Sequence, residues 1–133
     1  MVQSKTPEEH ILYLIGQNRG TNNFISRSEL IDLLRKYDCD FKLSFTKYEM
    51  ARLLATKIGY DELEKVANVG MPSINFQQKF NLTNEQIKKL AKRNILHVTG
   101  KEGFRIYNKY REANLYSVFD YFNYTEKELK KYL

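Results

Sequence analysis

Five places in this chain repeat one short phrase ahead of a helical pattern, a hydroxyl residue followed three positions later by Glu or Gln: Thr6/Glu9, Ser26/Glu29, Thr46/Glu49, Thr83/Gln86 and Thr125/Glu128. In such a phrase the hydroxyl accepts from the third backbone N–H of a helix, and the acid or amide reaches back to the first, so two orphan donors are satisfied reciprocally. Five helix starts within 133 residues leave room for short helices only. A long coiled coil and an all-β sandwich are both excluded by that spacing.

The apolar pattern fills in the elements. Pro7 in a first turn supports a helix from Thr6 that ends near Gly16, followed by a polar loop over 17–23. Leu30, Leu33, Leu34 and Tyr37 fall on one face of a second helix, and Met50, Leu53, Leu54 and Ile58 on one face of a third that stops at Gly59. Asp61 is read as the cap of a short fourth helix, and Ser73 as the cap of a fifth that ends near Phe80. Asn81-Leu82 makes a tight turn into a helix carrying Ile87 and Leu90 through Arg93, which is helix-turn-helix spacing. Ile95–Thr99 and Phe104–Tyr110 then read as two strands joined by Gly100-Lys101-Glu102-Gly103, with a further short strand at Asn114–Tyr116. Ser117 opens the helix Val118–Phe122, and Thr125 the last one. The expected class is α+β, mainly α, with a helical subdomain over 1–71 and a helix-turn-helix with a β-hairpin over 72–133.

Composition narrows the function classes. Charged residues at 29%, apolar residues at 42%, ten Tyr and eight Phe describe a globular protein with enough bulk for a core without Trp. No apolar run approaches the roughly 18 residues of a membrane span, and no membrane partner is expected. Cys39 is the only cysteine, so no disulfide forms within the chain, and a reducing cytoplasm is the expected setting. Fifteen Lys and eleven Asn against two Pro point to an AT-rich source, such as a bacterium or its phage.

Charge is the feature that points to a partner. The first 71 residues are neutral, whereas residues 72–133 carry twelve basic and six acidic side chains, the whole excess of +6. Such a concentration favours polyanions. Lys88, Lys89, Lys92 and Arg93 are expected on the outward face of the second helix of the pair, with Asn84 and Gln86 at its start, where amides can read adenine edges. On the hairpin, strict alternation places Arg105, Tyr107 and Lys109 on one face and Phe104, Ile106 and Asn108 on the other, with Lys101 and Arg111 adding charge. Enzyme chemistry finds no support. His10 and His97 are remote from Cys39, no ligand spacing makes a zinc set, and no phosphate-cradling glycine loop is present, so no cofactor or metal is expected.

Two partial resemblances accompany these readings. Ser28-Glu29-Leu30, Leu33-Leu34, Thr46-Lys47-Tyr48-Glu49-Met50 and Arg52-Leu53 resemble a SAP-type helix–extended loop–helix module, whose family commonly binds duplex DNA. The glycine usual near the end of its first helix is replaced here by Asp38-Cys39-Asp40. Phe80-Asn81-Leu82-Thr83, Glu85–Leu90, Ile95–Tyr110 and Leu115-Tyr116-Ser117-Val118 resemble the winged module of XPA-like and MerR-like DNA-binding domains. Together with the charge they imply a non-enzymatic duplex-DNA-binding protein, a phage or bacterial regulator. The competing expectation is a phage or mobile-element inhibitor, of anti-CRISPR or antirepressor type, that binds a protein or nucleoprotein partner. Oligomeric state, target sequence and pathway stay open.

Overall fold

Four of the five capping phrases form as reciprocal boxes, at Ser26, Thr46, Thr83 and Thr125. They open the helices α2 (Arg27–Lys36), α3 (Lys47–Ile58), α6 (Asn84–Lys92) and α8 (Glu126–Lys130). The first phrase does not close: α1 (Pro7–Leu14) starts after Thr6, whose hydroxyl is buried without a partner. The computed structural model describes residues 4–16 and 24–133, without the Phe104 side chain. The loop expected over 17–23 lies outside the described residues.

Two other caps differ from expectation. Gly59, at φ 87°, ends α3 and directly precedes α4 (Tyr60–Ala67), so Asp61 sits inside the first turn rather than at the cap. Pro72 precedes α5 (Ser73–Phe80), which frees the Ser73 hydroxyl to donate to Asn84 Oδ1 at 2.7 Å instead of capping. At the end of α2 the place of the missing glycine is taken by Asp38, at φ 53°, and Cys39 N–H closes back on Leu34 O at 2.9 Å. A short polar side chain tolerates that left-handed conformation, so the helix terminates without glycine.

The chain is α+β and mainly α. Among the described residues the strands form one antiparallel sheet in the order β1-β3-β2, with β1 (Met71–Pro72), β2 (Val98–Ile106) and β3 (Lys109–Tyr116). A helix α7 (Val118–Asn123) follows at once. One hydrophobic cluster runs from Ile11 to Leu129 and takes side chains from α1 through α8. Its aromatic part is Phe76, whose ring lies 5.8 Å from Phe80, 5.8 Å from Tyr116 and 5.5 Å from Tyr121. Burying each such ring contributes about 1.5–3 kcal/mol.

The hairpin turns at 107–108 rather than at the expected 100–103. Gly100–Gly103 lie within β2, paired with Leu115 down to Glu112, and the turn is Tyr107-Asn108, between the paired residues Ile106 and Lys109. Asn108 at φ 64° suits a two-residue turn of left-handed conformation, and Tyr107 at φ 51° accompanies it. The glycines serve close approach: a Cβ at Gly100 would meet Asn68 Oδ1 at 2.5 Å, and one at Gly103 would run into the Tyr110 ring and hydroxyl. A register shift between Val98 and Gly100 leaves Thr99 buried, donating to Val69 O at 2.8 Å.

Candidate nucleic-acid interface

Helix α6 has the sidedness its sequence predicts. Ile87 and Leu90 are fully buried, while Asn84, Glu85, Lys88, Lys89, Lys92 and Arg93 are exposed. The two amides at its start are engaged within the protein. Gln86 Oε1 accepts from Thr83 N–H at 2.9 Å as the return arm of the capping box, and Asn84 Oδ1 accepts from Ser73. Bidentate reading of adenine requires the amide oxygen as well as its NH2, so either residue would have to share an oxygen already in use. Arg93 also donates to the Tyr132 carbonyl, which ties the end of α6 to the C-terminus. Lys88, Lys89 and Lys92 are the cations that α6 offers outward; Lys88 meets Glu85 only at 3.9 Å, a solvent-screened contact.

The shifted turn re-sorts the hairpin. Cross-strand partners share a face, so Arg105 and Tyr110 lie on one side with Lys101 and Glu112. Ile106, Lys109 and Arg111 lie on the other. The expectation that Arg105, Tyr107 and Lys109 share a face is therefore corrected: Tyr107 occupies the turn, and the two turn residues reset the alternation. The Phe104 side chain, expected opposite them, lies outside the described set. Every described side chain from Arg105 to Asn114 is exposed, and β3 is covered by β1 only at Leu115 and Tyr116, so the outer hairpin projects from the body. An open groove joins it to α6, with Pro72, Ser73, Asn84 and Lys88 on one wall and Glu102, Glu112 and Asn114 on the other. Its lining thus holds one cation, Lys88, and two acids, Glu102 and Glu112.

Sequence reasoning missed a second polar constellation, in the core. His10 and Glu64 are fully buried, with His10 Nε2 2.9 Å from Glu64 Oε1 and its ring stacked 4.4 Å from that of Tyr60. Glu64 also accepts from Phe119 N–H at 2.9 Å and from the Ser117 hydroxyl at 2.8 Å, and that hydroxyl accepts from Asp120 N–H. Asp120 Oδ2 in turn faces His97 Nδ1 at 3.0 Å. Ser, His and acid are present in the wrong order for a nucleophile: the Glu64 carboxyl group stands between His10 and Ser117, and Ser117 is buried. The network ties α1 and α4 to the start of α7. Among the described residues no group of three or more His, Cys, Asp and Glu is placed to hold a metal, and no helix is long and apolar enough to cross a membrane.

Burial sets the protonation of this pair. It lowers the His10 pKa from 6.5 to about 3 and raises that of Glu64 well above 4.5. Below 4.5 the unfolded chain holds both protons and the folded one holds one, so the pair's contribution to stability falls as pH drops. As pH rises above 4.5 the unfolded chain gives up its Glu64 proton while folded Glu64, with its pKa raised by burial, holds on to it, so the Glu64 contribution falls as pH rises. Each flank has a slope of at most about 1.4 kcal/mol per pH unit. Asp120, also raised by burial, adds a decline that begins above 3.8. Urea midpoints measured across this range should show both flanks, and Glu64→Gln should abolish the Glu64 part of the alkaline one; an unchanged profile in that variant would mean Glu64 is ionised in the folded protein.

No family model, curated protein or solved structure matches this chain.

Proposed function

We propose that this chain is a non-enzymatic duplex-DNA-binding protein, with α6 and the projecting hairpin as its contact surface and regulation of a phage or bacterial process as its role. The observation that carries this reading is the pairing of an outward α6 face holding Lys88, Lys89 and Lys92 with an exposed hairpin holding Lys101, Arg105, Lys109 and Arg111. The order of helix, turn, helix and hairpin agrees with the XPA-like and MerR-like resemblance, in which a helix meets a groove and the hairpin meets the backbone. Because the amides of Asn84 and Gln86 are engaged, phosphate contacts dominate, and binding is largely independent of sequence.

The test is fluorescence anisotropy with a random duplex from low to moderate salt, with a single strand alongside. Seven phosphate contacts would give a log–log salt slope of about −6, the steepest this surface supports. A slope between about −3 and −6 on duplex, with weaker single-strand binding, is the expected result. Absence of duplex binding at low salt overturns the reading. The second reading then takes over, because Ile106, Tyr107 and Tyr110 are exposed hydrophobics on a projecting arm suited to docking on a protein or nucleoprotein partner, as an anti-CRISPR or antirepressor inhibitor would.

A further inference from the structure

Tyr107 is in the wrong place for a residue that serves the fold. Its backbone is left-handed, at φ 51°, where glycine, Asn or Asp is accommodated with less strain than an aromatic residue. Its ring is 95% exposed and covers nothing, while neighbouring Ile106 and Tyr110 are 49% and 63% exposed. A strained residue that stabilises nothing inside the molecule is a candidate for contact outside it. The charges flanking it limit what that contact is. The hairpin from Lys101 to Glu112 carries four cations and two acids, Glu102 and Glu112, and the stretch nearest the tip, Arg105 to Arg111, carries three cations and no acid, so the tip favours an anionic occupant. The cations are also divided, Lys101 and Arg105 on one face of the hairpin and Lys109 and Arg111 on the other.

A flat anionic surface or a single strand would engage one face and leave the other in solvent. Two parallel rows of phosphate engage both. The major groove of duplex DNA, about 12 Å wide, admits a two-stranded ribbon without help from its tip, whereas the minor groove, about 6 Å wide, takes one only when a wedging side chain unstacks a base step and opens it, which is the use an exposed aromatic at the very tip has. Building on the duplex reading above, we propose that the hairpin tip enters the minor groove edge-on, the Tyr107 ring wedging between adjacent base pairs while the two cationic faces meet the phosphates of the two strands. Insertion unstacks a base step and opens the groove around the hairpin. Ile106 then packs on the sugar edge, and the aromatic face supplies stacking that tolerates any sequence.

The chain contains no Trp, so Tyr107→Trp places a sole indole at the tip, at a position where nothing packs against the ring. On saturating this variant with random duplex, indole emission should fall severalfold by stacking, and its quenching by acrylamide should fall severalfold as well. A second variant, Tyr107→Gly, should raise the thermal midpoint, since glycine suits the left-handed turn. Its duplex affinity should nevertheless drop roughly tenfold to a hundredfold, with the salt slope unchanged, as expected for loss of stacking without loss of a phosphate contact. If wild-type protein binds duplex with a steep salt slope but the tip indole stays acrylamide-accessible, or Tyr107→Gly keeps full affinity, the wedge is overturned and the duplex reading stands. If wild-type protein shows no salt-dependent duplex binding, both fall.

Discussion

Replacing Glu64 by Ala is expected to destabilise the protein by about 3–5 kcal/mol through the hydrogen-bonding groups it leaves unsatisfied, a large part of the roughly 5–15 kcal/mol that holds a domain of this size folded. The carboxyl group serves three donors or partners at once: Phe119 N–H, the Ser117 hydroxyl and His10 Nε2. Removing it strands them in a region from which water is excluded, and each unsatisfied group costs about 1–3 kcal/mol. Glu64→Gln keeps the shape and the acceptor oxygen, so it should lose much less. Urea denaturation of the two variants beside wild type checks this. A loss below about 1 kcal/mol for Glu64→Ala would mean that water replaces the carboxyl group without penalty, and that the network does not hold α1 and α4 to α7.

The network also marks where sequence reasoning stops. Capping is local, with both partners three residues apart, so four of the five boxes could be read from the sequence and form in the structure. The buried face of α6 was equally legible, because Ile87 and Leu90 follow from helical period alone. Glu64, by contrast, lies 54 residues from His10 and 53 from Ser117, and nothing around it in sequence sets it apart from the exposed acids Asp61 and Glu62. The hairpin failed differently. Gly100 and Gly103 carry the usual signal of a turn, but they are there because Asn68 and Tyr110 crowd them, a tertiary cause that leaves the same residue type in the sequence. The local signal for the real turn was Asn108, and moving the turn there changes the face of each cation that follows it. The Lys and Arg positions of the candidate surface were therefore all named from sequence, while their arrangement in space was not.

That arrangement decides the largest effect expected on binding. Lys88/Lys89/Lys92→Ala strips α6 of its outward cations, and if each meets a phosphate the salt slope on duplex becomes shallower by about 2.7. A fourfold rise in salt then costs the variant about 40-fold less affinity than it costs wild type, so the two binding curves converge as salt increases. The side chains removed are exposed, so stability should stay within about 0.5 kcal/mol, which separates lost contact from lost fold. The hairpin is best divided by face. Lys101/Arg105→Ala and Lys109/Arg111→Ala should each lower the slope by about 1.8 when both faces meet phosphate. The Lys101 contact with Glu112, at 3.9 Å between exposed side chains, is too weak to withhold that cation. If one pair changes the slope and the other does not, the hairpin lies flat on a single strand's phosphates and the tip stays outside the groove. If neither pair nor the α6 variant changes it, the basic surface is solvated rather than bound. The corrected turn makes these pairs separable, because with the turn at Gly100–Gly103 Arg105 and Lys109 would share a face and the two variants would probe the same contact.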